Sequence, residues 1–313
     1  MGIDRPDDAD VPSGKHPDHP PEHAQAETRY RQEYDAEVRA ARQERTEPAG
    51  RSEPGKPAEN PQPGSSWAET AELSRWMWTE YKRRWPPEER PPVDRSKDSP
   101  GSWHGEGDRV LKPAHNEQVE AACDRIADRE EKTISPAMRA IESQDPDRHL
   151  VGFNHCRKGR DRIKEKVYDD MDLLGRSPRD AISRIPDAIR YTFQYDEVSY
   201  TQSVGADIAR MEQRGFKLYK LKNYWSDDQY KGINSQWIEP VSGQRFEVQF
   251  HTRISFEAKQ ITHDAYERLR THQADALEEL VLEGFQRKVA VAVPVPSDAT
   301  QIPDYREGEQ HAR

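Results

Sequence analysis

No stretch of this 313-residue chain approaches the roughly 20 consecutive apolar residues that cross a bilayer, so no membrane-spanning helix is expected. The opening MGIDRPDDADVPSGKHPDHPP lacks the basic and apolar blocks of a Sec signal. Cysteine is almost absent. Cys123 and Cys156 do not make a disulfide framework, and the chain reads as cytosolic. Apolar residues are scarce as well, 33% against 34% charged, with a mean hydropathy of −1.15, too polar for uniform globular packing. Proline is unevenly absent: sixteen of the 24 fall before residue 120 and only five lie between 114 and 290. One folded domain in the second half is therefore expected, behind a long polar segment. A net charge of −10 and a pI near 5.6 argue against a wholly basic nucleic-acid coat and leave room for a local basic groove.

Residues 1–115 read as mostly disordered, because their composition buries too little apolar area to offset ordering entropy. Short helices are expected near 24–44 and 67–85. In the second, Leu73, Met77 and Tyr81 recur at i, i+4 and i+8 beside Trp78 and Trp85, and Pro86–Pro87 stops it. Its aromatic stripe suits docking on its own domain or on a partner. His16, His19 and His23 have no rigid scaffold and read as polar residues rather than metal ligands. Residues 86–115 read as linker, 116–290 as the domain and 291–313 as a polar tail.

Within the domain, EQVEAACDRIADREEKTISPAMRAIES reads as two helices broken at Ser135–Pro136, with Cys123 an ordinary buried helix residue. RDRIKEKVYDDMDLL is a helix ending at Gly175, SPRDAISRI a short capped one, and SVGADIARMEQRG a helix closed by Gly215. AIRYTFQY, FKLYKLKNYW, INSQWIEP and RFEVQFHT read as strands, the last two joined as a hairpin across Val241–Gln244. SFEAKQITHDAYERLR and ALEELVLEGF are C-terminal helices. The order implies an α+β fold, a mixed sheet of about five strands packed with helices.

Three features could carry chemistry. In the basic run Arg157–Lys166, Arg162 and Lys166 share a helix face at i, i+4, and cations converging near a helix start suit a polyphosphate. Asp187 opens one strand run and Glu247 lies inside another, where alternation turns Glu247, Gln249 and His251 to one side. Two carboxylates on neighbouring strands suit Mg²⁺, a hard ion that shares oxygen ligands with substrate phosphates. The third is Lys222-Asn223-Tyr224-Trp225 followed by Tyr230-Lys231-Gly232-Ile233-Asn234-Ser235, where aromatics alternate with lysine around a glycine turn.

In order and spacing these features resemble the RelA/SpoT-type synthetase domain, a nucleotidyltransferase-like fold, over about Glu117–Arg270. Lys158 and Glu165–Lys166 are similar to its ATP-binding "RxK…EK" segment, and Asp187 to its metal-binding Asp. Lys222-Asn223-Tyr224 resembles "KDY", Gly232 with Ser235 "GYxS", and Glu247-Val248-Gln249-Phe250-His251-Thr252 "EIQIRT". His263 with Tyr266–Glu267 resembles the closing helix motif. The phrases IRYTF and YKGINS look more like the small single-domain branch, which includes toxin-like members. Cys156 stands for the "RxK" arginine, His251 for the "IRT" arginine, and Ile233 for a tyrosine that stacks on the acceptor guanine.

The resemblance implies transfer of the β,γ-pyrophosphate of ATP to a ribose 3′-hydroxyl with release of AMP. It implies Mg²⁺ on Asp187 and Glu247, with Glu247 also accepting the hydroxyl proton. Lys158, Arg160, Arg162 and Lys166 would bind ATP and its phosphates, and Lys222, Tyr224, Lys231, Asn234, Gln249 and His251 would serve the acceptor. The acceptor is a nucleotide or, as in toxin-like members, the 3′ end of tRNA; an inactive nucleotide-binding module is the other alternative. The N-terminal segment, with Tyr30, Tyr34 and Trp76–Trp78, is the place for a regulatory or antitoxin partner.

Overall fold

The computed structural model describes residues 67–86, 99–270 and 274–307. The expected helix at 24–44, the disorder expected before residue 66 and the three early histidines lie outside the described residues. The chain divides into two units. Of one, only Asp275–Leu280 is described, a first helical turn in which Asp275 accepts from the Glu278 amide at 2.8 Å. All contacts below belong to the other.

Helix α1 (Trp67–Arg84) docks on its own domain. Trp67 Nε1 donates to Glu257 at 2.8 Å, and Trp78 stacks on Phe285 with ring centroids 5.7 Å apart. A hairpin follows, β1 (Trp103–His104) against β2 (Val110–Leu111), in the stretch expected to be linker. Its two large apolar residues explain the difference: Trp103 and Leu111 are buried, and the Trp103 indole donates to Asp161 at 2.9 Å. The folded region thus begins before residue 116.

Helix α2 (Pro113–Arg129) runs through a π-helical turn, Glu130–Ile134, into α3 (Ser135–Glu142). The break expected at Ser135–Pro136 is absent because the wide turn accommodates the missing proline N–H; the Ser135 amide bonds Glu130, five residues back. Strand β3 (Arg148–Val151) was not expected. Helix α4 (Arg160–Leu174) stops at Gly175, in the left-handed region at φ 62°, and α5 (Pro178–Ser183) is capped by Ser177. Then come β4 (Arg190–Tyr195), α6 (Tyr200–Gln213), β5 (Lys217–Asn223), β6 (Ile233–Ile238), β7 (Arg245–Thr252), α7 (Arg253–Arg270), α8 (Ala276–Val291) and β8 (Tyr305–Arg306).

The fold is α+β, with a six-stranded mixed sheet ordered β3-β4-β7-β6-β5-β8. Only β4 and β7 pair in parallel. β8 adds a sixth strand from the expected tail, because Asn223 Nδ2 donates to the carbonyls of Ala299 (2.8 Å) and Ile302 (2.7 Å). One face is apolar: Tyr191, Phe193, Phe246, Val248, Phe250, Ile233 and Trp237 alternate onto it, with Met211 and Val204 of α6 also buried. At its β3 edge Arg148, 1% exposed, meets Asp207 of α6 at 2.6 Å. The other face carries Arg190, Thr192, Glu247, Gln249, His251, Asn234 and Gln236, and α7 contacts its β4 and β7 strands. Among the described residues no helix is long and apolar enough to cross a membrane.

Candidate functional site

Asp187 lies in a 3₁₀ turn, Pro186–Ala188, just ahead of β4 rather than on the strand. Three cations meet its carboxylate. Lys166 Nζ reaches both oxygens at 2.8 Å, Lys158 Nζ lies at 3.2 Å, and Arg190 Nη2 at 3.1 Å. Burial alone would raise the Asp187 pKa, but Lys166 and Lys158 outweigh it and hold the group well below the usual carboxylate range. Burial pushes the Lys158 ammonium down despite Asp187. The Lys158 amide donates to the Ala188 carbonyl at 2.9 Å, so backbone ties the lysine loop to the Asp187 turn.

Arg190 links the two carboxylates. It opens β4 in register with Glu247 of β7, and its Nε lies 3.7 Å from Glu247 Oε2. Burial opposes its charge, yet Glu247 and Asp187 together raise its pKa above the ordinary value. Along β7 the Gln249 amide donates to Glu247, and the Gln249 carbonyl oxygen accepts from Lys259 of α7 at 2.6 Å. Burial, aided by Arg190, brings Lys259 down to about 8. Sequence reasoning gave no site role to Arg190 or Lys259. The signals were there: Arg190 shares strand parity with Thr192 and Gln194, and Ser255, Lys259 and Thr262 make a polar stripe at i, i+4, i+7 on α7.

His251 and its neighbours form a second cluster. His251 is 0% exposed and bonded to Tyr230 Oη (2.9 Å) and Ser255 Oγ (2.8 Å); burial, then Lys259, lowers its pKa well below the ordinary value, so it is neutral at pH 7. Tyr230 Oη also donates to Asn234 Oδ1 at 2.9 Å. Gly232 permits this packing: at φ 141° a Cβ would sit 2.7 Å from His251 Cε1. Tyr224 packs edge-on against Tyr230. The remaining acceptor-side lysines are engaged elsewhere. Lys231 donates to the Trp225 and Asp227 carbonyls, and Lys222 pairs with Asp304 at 2.7 Å.

Two expected residues do not join Asp187. Arg162 pairs with Glu165 at 2.8 Å and stands 3.8 Å from Glu267, so sharing a helix face with Lys166 does not bring it to the carboxylate. Arg160 is drawn to Glu120 and Asp124 of α2. There it lines a cavity of about 280 Å³ with Arg157, Lys158, Cys123, Ala127 and Ile163. Ile233 is a core residue, 0% exposed and in register with Phe250 on the apolar face, and cannot meet an acceptor base.

Among the described residues no cluster of three or more His, Cys, Asp or Glu side chains could hold a metal. Asp187 and Glu247, each in contact with Arg190, are the carboxylates that could hold Mg²⁺, which commonly takes one or two carboxylates and completes its shell with phosphates and water.

No protein-family model matches the chain, and no curated protein does. Among solved structures it is similar to the smu.1046c protein of Streptococcus mutans (16% identity, 59% of this chain and 94% of that one, TM-score 0.40). It is also similar to small alarmone synthetase 1 of Bacillus subtilis bound to its product pppGpp (14%, 56% and 90%, TM-score 0.37). A third is a GTP pyrophosphokinase family protein from Streptococcus pneumoniae (14%, 57% and 89%, TM-score 0.38). Likeness at this level assigns no chemistry to the residues above.

Proposed function

We propose that the protein transfers the β,γ-pyrophosphate of ATP to the 3′-hydroxyl of a nucleotide and releases AMP. The observation that carries this reading is the set of Lys158, Lys166 and Arg190 around Asp187, with Glu247 joined to it through Arg190. Fixed cations of this kind receive a polyphosphate, and phosphoryl-type transfer needs positioning and charge neutralisation more than covalent chemistry. The adjoining cavity has apolar walls at Cys123, Ala127 and Ile163 and guanidinium groups at Arg157 and Arg160, which suits the stacked adenine of the donor.

With the triphosphate on Lys158, Lys166 and Arg190, the acceptor's 3′-oxygen attacks the β-phosphorus. Its proton passes to Glu247, and the bond from the β-phosphorus to the α,β-bridging oxygen breaks, so that oxygen leaves with AMP. Mg²⁺ on Asp187 and Glu247 would neutralise phosphate charge. Tyr230 and Asn234 make the polar floor on which the acceptor lies, and neutral His251, itself fully buried, holds the Tyr230 hydroxyl in place. The resemblance of Lys158, Lys166, Asp187 and Glu247 to the RelA/SpoT-type motifs supports the same reading.

The test incubates the full chain with Mg²⁺, γ-labelled ATP and, separately, guanine nucleotides, adenine nucleotides and total tRNA. Label on a nucleotide supports the reading. Label on tRNA alone replaces the acceptor, and label on none refutes the transfer.

A further inference from the structure

Lys259 reaches the polar sheet face from the covering helix α7, whereas Arg190 comes from β4, Lys166 from α4 and Lys158 from the loop before α4. Lys259 is partly buried, and no carboxylate among the described residues pairs with it. Its ammonium instead donates to the Gln249 carbonyl oxygen at 2.6 Å and lies 5.4 Å from the centre of the Phe256 ring. Burying an ammonium without a paired carboxylate is costly, and an apolar side chain would pack the same space more cheaply. A role in stability alone does not explain it.

The hydrogen-bond chemistry does. An ammonium only donates, so the Gln249 amide must turn its oxygen to Lys259. Its NH₂ is then directed at Glu247 Oε1, and an ionised carboxylate only accepts. Nothing else holds this orientation from the neighbouring strands: neither Asn234 nor Thr192, both in register with Gln249, makes a side-chain hydrogen bond to its amide among the described residues. Lys259 thus sets the direction of one amide, and the amide sets one oxygen of Glu247, leaving Oε2 toward Arg190. We propose that Lys259 is a positioning residue for Glu247, acting through the side-chain amide of Gln249. The catalytic part of this inference rests on the transfer reading above; the orientation of the amide does not.

The experiment compares the full-length protein with Lys259→Met and Lys259→Arg, measuring kcat, KM for ATP and the side-chain amide resonances of Gln249, identified by their loss in Gln249→Leu. Lys259→Met should lower kcat about 10- to 100-fold, the usual range for outer-shell partners. KM for ATP should stay within about twofold and thermal stability should change little, because the buried charge and the hydrogen bond to Gln249 are lost together. Lys259→Arg, also a pure donor, should recover much of the rate. The Gln249 amide signals should shift and exchange faster with solvent in Lys259→Met but not in Lys259→Arg. Unchanged amide signals in Lys259→Met overturn the proposal whether or not transfer is observed. So does a full rate in Lys259→Met when the unmodified protein is active. An unmodified protein without transfer refutes the proposed function instead, and the amide signals still decide on the orientation.

Discussion

Asp187→Asn removes the anion on which three cations converge and has opposite effects on turnover and binding. Each pairing, at roughly 4 Å between charge centres and an effective dielectric near 20, is worth about 4 kcal/mol before desolvation. Several kcal/mol per ion return as lost hydration, so the sum of pairings far exceeds the net value. Removing the anion alone is different, since Lys158, Lys166 and Arg190 then face one another with Glu247 as the remaining counter-charge. Breaking a buried set this way costs about 3–5 kcal/mol. Lys166 is 35% exposed and can turn to water, which lowers the expected loss to about 2–3 kcal/mol, a fall in Tm of about 5–10 °C. Turnover should drop about 100-fold or more as electrostatic stabilisation is lost. ATP should nevertheless bind more tightly, because the released ammonium groups are free for phosphate. Thermal unfolding, equilibrium binding of ATP and transfer of labelled phosphate read the three effects. An Asp187→Asn protein with unchanged Tm and near-normal turnover would refute the reasoning and place the essential carboxylate elsewhere.

Arg148→Met should cost about 3 kcal/mol in thermal or urea unfolding, the low end for breaking a buried pair, because the fully buried Asp207 loses Arg148 and keeps Arg210 at 2.7 Å. Below the melting range, transfer should be little changed, as Arg148 lies on the apolar face. Gly232→Ala should lose about 1–3 kcal/mol, since a Cβ there meets His251; His251 and Tyr230 signals in an NMR spectrum should shift with it. Ile233→Tyr should be destabilised by about 1–3 kcal/mol through overpacking against Phe250, with no gain in guanine over adenine nucleotides when acceptors are compared.

The elements that declared themselves in the sequence do so through local rules. Helix α4 ends where Gly175 adopts the left-handed region, and β6 and β7 alternate and are joined by a turn in which Glu239 binds the Val241 and Ser242 amides. The polar parity of Glu247, Gln249 and His251 was legible because strand alternation is strict. What escaped depends on distant partners. β3 is four residues whose Arg148 looks like a surface charge until Asp207 of α6 is beside it, and β8 is a pair of residues that exists only against β5. The same holds in the site. Lys158, Lys166, Asp187 and Glu247 stood out by type and spacing, whereas Arg190 became visible only through register. Arg162 and Ile233 show the limit of local rules: a shared helix face does not say which acid a cation meets, and a motif position does not say which side of the sheet it faces.

The bond that breaks in ATP tests the central claim most directly. With β- and γ-phosphates separately labelled, Mg²⁺ and the best acceptor present, the account predicts AMP as the only product left from the donor ATP's adenosine. Both labels should appear on the acceptor in equal amount, and neither in the Glu247→Gln protein. Release of ADP, with the γ-label alone moving, would contradict it, as would ATP left intact by a folded, full-length protein.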